Sequence, residues 1–531
     1  MLQKRLGSLP VIADFSRRLD IAGVIDGLCP IREVASATHG QVIEILIANR
    51  LTSPAAMVGI SRWAQDWAVA EVYGVPAAVL GDDKLARALD AIAPCLDEII
   101  GTIGARAIDV FGIDVTRLHW DMTSVSLYGA YDQAADPDYP TVGWGHPKDR
   151  RTDLKQIQAG IAVAGDGAVP IFGQAYAGGA AEVTQVIDAM NDLKQIAGQR
   201  KFLMIGDSKL VSYDNVEAMN AAGVAFIAPL AASRVPAGLF AGLDPATAVG
   251  VDYVAQRDAG KPADKRAVYR VLEDTMDLTG TRRNGPAHRL RRILVHSSAN
   301  QQAAGKARTL RLQQASADLD TLVRTAGTRY RPDTAAVTAR AAEIARKRRV
   351  GAYLITTITD DPATGKPVFA WRFDQQAIDA EAATDGWYAL LSNLDSNEAD
   401  PAEILRRYKH QPAVERRYAT VKGPLAVAPM FLQHNRRITA LITIICLALL
   451  IFCLIEREVR RNLAPQQEMV GFYAYDNRAT RPTGRLILQA LHQLRLIPAH
   501  DRQPPKIPEP GWLQAQLLAL LNIDPTRPRW P

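Results

Sequence analysis

The sequence predicts an α/β protein in which helices flank a mixed sheet, with an α-helical region in front and an inserted subdomain within. Three observations predict it. Residues 1–112 repeat apolar side chains every three to four positions between Gly and Pro punctuation, the spacing of amphipathic helices. From 117 to 230 the texture changes to three alternating strands, a helix, and short apolar strands separated by helices. From 233 to 385 this pattern breaks into a long, polar, Arg-rich stretch, after which GWYALLSNL resumes the apolar texture.

In chain order, VIEILIANRL and DDKLARALDAIAPCLDEIIGTIG supply the first helices. RLHWDMTSVSLYG alternates and is rich in Thr, Val, Trp and Tyr, which predicts a strand. DLKQIQAGIAVAGDGAVPIFGQAYAG reads as two strands joined at Gly-Asp-Gly. EVTQVIDAMNDLKQIAG has helical period and ends in Gly, KFLMIGDSK is a short strand with an Asp at its carboxyl end, and SYDNVEAMNAAG and VAFIAPL add a helix and a strand. The insertion contains helical pieces and a few strand-like runs such as PVFAWRF. DPAE opens a helix, with Asp400 as N-cap, Pro401 at the first position and Glu403 reaching back. Pro412 then kinks that helix or starts another, because its ring clashes with the carbonyl four residues earlier. These signals divide the chain into 1–112, a core half at 113–232, the insertion at 233–385, a second core half at 386–465 and a C-terminal tail at 466–531.

Composition is that of an ordinary globular protein, 48% hydrophobic and 22% charged, with a net charge of +6. Charge is concentrated: between Thr281 and Val350 sixteen Lys and Arg stand against four Asp and Glu, an excess twice that of the whole chain. Such a segment is either a phosphate-binding surface or a solvated helical hairpin. Cys29, Cys95, Cys446 and Cys453 lack metal spacing and suit a reducing cytoplasm. The N-terminus has no uninterrupted apolar run of the kind a signal peptide needs. Residues 438–455 carry no charge over 18 positions and reach membrane-span length. Their basic flanks on both sides favour a buried core helix over a span, so no membrane partner is expected.

Candidate chemistry rests on three acids. Asp121 lies mid-strand in LHWDMTS, and Asp207 at a strand end in LMIGDSK. Glu415 is the one carboxylate in RRYKHQPAVERRYATVKG. Carboxylates converging in an apolar setting repel each other, and Mg²⁺, which favours oxygen ligands, relieves the repulsion. Two such ions activate a water or hydroxyl for in-line attack on phosphorus. Each acid has an ordinary alternative: Asp121 bonded to a neighbouring Thr or Ser, Asp207 capping the next helix, Glu415 on a solvated basic helix. On a continuous helix Tyr408, Gln411, Glu415 and Lys422 fall within roughly 60° of one another. His146, Lys148, Arg150 and Arg151 form a basic loop, suited to DNA or simply solvated. Trp371 is either a base-stacking aromatic or a core residue. Glu456 and Glu458 read as salt-bridge partners of Arg457, Arg460 and Arg461. HEXXH and Walker motifs are absent.

WDMTSVSLYG, GHPKDRRTDLKQIQAGIAV, MIGDSKLVSYDNVEAMNAAGVAFIAPL and YKHQPAVERRYATVK, in this order, resemble the DDE transposases of bacterial insertion sequences. The resemblance is to the branch whose ribonuclease-H-like core is interrupted before its Glu. That branch is marked by Tyr, two residues, Arg, three residues, Glu, six residues and Lys; this chain has Tyr408, Gln411, Glu415 and Lys422 at those intervals, with Gln for Arg. The resemblance spans roughly 115–465. It implies Asp121, Asp207 and Glu415 as ligands of two Mg²⁺ ions, with Mn²⁺ able to substitute, and Tyr408 and Lys422 as phosphate contacts near the element end. Gln411 retains a hydrogen bond to phosphate without the charge of Arg. It further implies a bacterial, nucleoid-associated enzyme that cuts double-stranded DNA at terminal inverted repeats. The freed 3′-OH then joins to target DNA, and the enzyme works as a homodimer whose helical region 1–112 binds ends or assists assembly. The rival is a catalytically silent DNA-binding repressor derived from such an enzyme.

Overall fold

The computed structural model describes residues 3–131, 138–236, 238–280, 285–425, 431–464, 468–473, 475–499 and 504–524. Arg282 and Arg283 of the basic segment lie outside them. The chain forms two compact units, one of residues 1–226 with 410–531, the other of residues 227–409.

The first unit opens with the short strand β1 (Lys4–Arg5) and helices α1 (Leu9–Leu19), α2 (Ile21–Leu28), α3 (His39–Thr52), α4 (Ile60–Asp66), α5 (Val69–Tyr73), α6 (Asp82–Ile92) and α7 (Leu96–Phe111). The helical reading of this region therefore holds. Thr38 caps α3 reciprocally with Gln41, accepting from its N–H while the Gln41 side chain accepts from the Thr38 N–H. Strands β2 (Arg117–Leu127), β3 (Lys155–Ala164) and β4 (Pro170–Tyr176) follow where the alternating texture placed them. After them come α8 (Val186–Ala197), β5 (Leu203–Ile205), α9 (Tyr213–Ala222) and β6 (Ala225–Pro229), which carries the chain into the second unit. In the first unit the sheet order is β4-β3-β2-β5, antiparallel except for the parallel β2–β5 pair.

The second unit adds β7 (Val249–Val251), β8 (Tyr269–Leu278), β9 (His288–Ser297), α10 (Ser298–Thr325), α11 (Thr334–Arg348), β10 (Leu354–Asp360), β11 (Pro367–Phe373), α12 (Gln375–Ala383), β12 (Trp387–Ser392) and α13 (Pro401–Tyr408). Its strands run β6-β12-β9-β8-β7, all antiparallel. The hairpin of α10 and α11 packs on the β10–β11 ribbon through Ala315, Leu319, Leu322, Val337, Ala341, Ile344 and Phe369. The basic segment thus contains a helical hairpin, one of the two forms its charge allowed. Many of its cations are internally paired: Arg291 with Glu273, Arg292 with Asp274, Arg308 with Asp385 and Glu381, and Arg348 with Asp318. Arg346, Lys347 and Arg349 remain exposed at the end of α11.

Back in the first unit, α14 (Pro412–Lys422) precedes the long helix α15 (Asn435–Asn462). The uncharged run lies in α15 and is wholly buried within the protein, packed on β4, α3 and α6. A Cβ on Gly173 of β4 would stand 2.7 Å from Cys446 Sγ, so only glycine lets the helix come this close. Helices α16 (Gly484–Leu491) and α17 (Trp512–Leu520) cover α15, and β13 (Arg495–Leu496) pairs antiparallel with β1. The segment read as a tail is thus built into the first unit.

Two local expectations need correction. Asp400 does cap α13, accepting from the Glu403 N–H at 2.6 Å, but the Glu403 carboxylate does not reach back. It accepts from Arg406 and Arg407 at 3.0 and 2.8 Å instead, because two guanidiniums within one turn outcompete a single backbone N–H. The stripe of four residues is also broken: α13 ends at Tyr408 and α14 starts at Pro412, so Tyr408 does not share a helix with Gln411, Glu415 and Lys422.

Candidate active site

Asp121 sits in the middle of β2, between β3 and β5, with its side chain 13% exposed. It is bonded not to a Thr or Ser but to Lys148, whose Nζ lies 3.0 Å from Oδ1 and also donates to the Met122 carbonyl. The loop that carries Lys148 runs beside β2: the Lys148 N–H donates to Ser124 Oγ at 3.0 Å, and Ser126 Oγ donates to Asp149 at 2.8 Å. Burial pushes the Asp121 carboxyl up, the negative charge of Asp207 adds to the rise, and Lys148 opposes it. Burial works against the Lys148 ammonium, yet Asp121, with Glu182 and Asp207 near it, holds its pKa above the ordinary value.

Asp207 follows β5 by two residues. The parallel register pairs His119 with Ile205, so both acids stand two residues beyond the last pair, Asp121 still within β2 and Asp207 past the end of β5. Asp207 caps the short turn after it by accepting from the Lys209 N–H at 2.9 Å. The capping alternative is therefore realised. It uses Oδ1 and leaves Oδ2 without a bond among the described residues.

Helix α14 is fastened to the same strand. Gln411 is buried; its Nε2 donates to the Trp120 carbonyl at 3.1 Å, and its Oε1 lies 3.0 Å from His119 Nδ1. An amide oxygen only accepts, so the proton of neutral His119 is assigned to Nδ1. Burial draws the His119 imidazole down to about 4, consistent with a neutral ring. The Tyr418 hydroxyl donates to the Asp121 carbonyl at 2.5 Å and accepts from the Ile161 N–H at 3.0 Å, bridging β2 and β3 where Asp121 pairs with Ile161. Arg417 donates to the Gly167 and Ala168 carbonyls of the β3–β4 turn and pairs with Glu456 of α15 at 2.9 Å.

Glu415 is exposed in the first turn of α14 and has no hydrogen-bond or ion-pair partner among the described residues. Lys422 is exposed at the last turn. Partial desolvation of its ammonium by the surrounding chain lowers its pKa, and nearby Lys148 lowers it further, against Asp149 and Asp121. Arg150 is exposed in a left-handed turn at φ 61°. Tyr408 belongs to the second unit. So does Trp371, whose ring lies 5.0 Å from that of Phe373 at the margin of the α10–α11 core. Glu456 and Glu458 do pair with arginines, Glu456 with Arg460 and Arg417, Glu458 with Arg457 and Arg461. The sequence reading missed Tyr418, His119 and Arg417 as partners of the site. Offsets of +3 from Glu415 and −2 from Asp121 mark the first two, but only pairing across the fold gives them meaning.

The donor set suits a divalent cation in part. Asp121 and Asp207 repel one another across adjacent strands, and an ammonium already offsets that charge. Among the described residues no three His, Cys, Asp or Glu side chains stand in metal-holding geometry, so Glu415 is not drawn into the group in this conformation.

A family model described as a domain of unknown function (DUF4277) matches residues 2–97, the helical N-terminal region. No curated protein matches the chain significantly. Two solved structures resemble it distantly. A piggyBac transposase synaptic complex with hairpin DNA is 9% identical with a TM-score of 0.36, covering 93% of this chain and 82% of that one. A Mos1 transposase paired-end complex with the left transposon end is 8% identical with a TM-score of 0.15, covering 36% and 59%. Neither likeness is close enough to define the fold or the function of this chain.

Proposed function

We propose that the chain is a DNA transposase of the DDE type found in bacterial insertion sequences, with a ribonuclease-H-like core interrupted by the second unit. The observation that carries this reading is the placement of Asp121 on β2 and of Asp207 just past the end of the neighbouring parallel strand β5, with the helix bearing Glu415 hydrogen-bonded to β2. Asp121, Asp207 and Glu415 would hold Mg²⁺, or Mn²⁺ in its place, once the free Glu415 side chain turns to the pair. Bound there, the two ions supply Lewis-acid activation of the attacking water or 3′-OH and charge stabilisation of the leaving oxygen.

The remaining roles fall to the chain itself. Lys148 neutralises Asp121 until a cation arrives and is then available to a phosphate, as are Arg150 and Lys422 on the exposed loop and helix end. Gln411, committed to β2, is better read as part of the scaffold than as a phosphate contact. The substrates are double-stranded element ends and target DNA, met in the cytoplasm by a homodimer, since two ends require two active sites.

Incubation of purified protein with a labelled element end and Mg²⁺ or Mn²⁺ tests the reading. Strand cleavage is expected for the wild type, with a loss of more than about 100-fold in Asp121→Asn and DNA binding retained. Binding without cleavage by the wild type would establish the silent repressor instead.

A further inference from the structure

Hydrogen bonds one turn to either side bracket Glu415. At about 100° per residue, positions 411, 415 and 418 lie on one face of the α14 segment. Gln411, four residues before, is bonded to the Trp120 carbonyl and to His119 Nδ1. Tyr418, three residues after, spans the Asp121 carbonyl and the Ile161 N–H. All four partners are atoms of β2 or β3 at or beside Asp121, and Gln411, His119 and Tyr418 are buried. Helix α14 is therefore held at Asp121 itself, with Glu415 between the two fastenings.

We propose that Gln411, His119 and Tyr418 are positioning residues that clamp the first turn of α14 against β2, so that the Glu415 carboxylate reaches the Asp121–Asp207 pair. The inference rests on the reading of these three acids as ligands. The chemistry of the clamp is specific. The Gln411 amide supplies one donor for a carbonyl and one acceptor for the imidazole N–H; an Arg in its place has donors only, so it leaves the His119 N–H without an acceptor and buries a charge. Tyr418 offers one hydroxyl that donates a hydrogen bond to β2 and accepts one from β3. A phenylalanine keeps the ring packing and loses both bonds.

The test uses the full-length protein and its Tyr418→Phe, Gln411→Leu and Gln411→Arg variants. Mn²⁺ binding is measured by calorimetry without DNA, affinity for an element end by fluorescence anisotropy, and end cleavage across a Mg²⁺ series. Thermal melts report folding. Each variant is expected to bind Mn²⁺ at least about tenfold more weakly and to need correspondingly more Mg²⁺ to cleave. Affinity of Tyr418→Phe for the end should move less than about twofold. Tyr418→Phe, which removes a single oxygen, decides the matter if the Gln411 variants fail to fold. Unchanged Mn²⁺ binding in Tyr418→Phe overturns the clamp, as does tighter DNA binding with faster cleavage in Gln411→Arg, which would make position 411 a phosphate contact. A wild type that binds no Mn²⁺ and cuts no DNA overturns the ligand assignment first, and the clamp falls with it.

Discussion

At Asp121 two neighbours of opposite sign act on one carboxylate: Asp207 raises its proton affinity and Lys148 lowers it. A charge on an apolar strand needs a partner, which is reason to expect the acids to meet. The strand also offers a Thr or Ser as that partner, and the structure supplies a lysine 27 residues away instead. Glu44 is a second buried acid, on α3, accepting from the Ala22 N–H at 3.3 Å. Burial pushes its carboxyl up to about 7 from the ordinary 4.5, with nearby Asp26 and Asp20 adding to the rise. The folded state thus holds this proton more tightly than the unfolded chain. Its stabilising contribution is complete below pH 4.5 and is lost as pH rises through 7. Melting curves of wild type and Glu44→Gln should therefore diverge with pH. The variant is expected to gain relative stability, on the order of 3 kcal/mol, between acid and mildly alkaline conditions. A constant difference across that range would show that Glu44 does not titrate there.

At the level of elements, α14 and α15 are joined by buried ions. Burial works against the Glu456 charge, but Arg417 and Arg460 hold its carboxyl below the usual carboxylate range, and the Gly484 N–H donates to it at 2.8 Å. Replacing Arg417 by Met leaves Glu456 short of one cation in a buried setting and strips two carbonyls of the β3–β4 turn of their donor. A loss of about 3 kcal/mol in denaturant unfolding is expected. Adding Glu456→Gln should recover part of it, because the variants share one network; strict additivity would mean the pair is not coupled. The helix break at Pro412 was legible from one residue, since the clash is local. That α14 turns Gln411 inward was not, because an amide four residues before an acid looks the same whether it faces solvent or His119.

Across the whole molecule the positive charge is concentrated between Thr281 and Val350, on β9 and the α10–α11 hairpin, and pairing with acids of the second unit offsets part of it: Arg291 and Arg292 of β9 with Glu273 and Asp274, Arg308 of α10 with Glu381, and Arg348 of α11 with Asp318. Counting arginines along the sequence therefore overstates the charge available to DNA. Arg346, Lys347 and Arg349, close together at the end of α11, are exposed. If they meet phosphates, the triple Ala variant should bind duplex DNA more weakly whatever its sequence. Its slope of log affinity against log salt should be lower by about three. An unchanged slope assigns these three residues to solvent.

Element types and most of their order follow from local residue patterns. Residues 117–127 alternate as a strand must, the run at 438–455 is apolar all round as a buried helix must be, and Asp400 with Pro401 starts a helix by local hydrogen bonding. These are short-range effects, written in neighbouring residues. That Lys148 neutralises Asp121, that Arg417 meets Glu456, and that Gln411 and Tyr418 fasten α14 to β2 emerges from the folded chain alone. Those contacts join residues 27 to 297 positions apart, and no periodicity along the chain encodes which distant atoms burial will bring together.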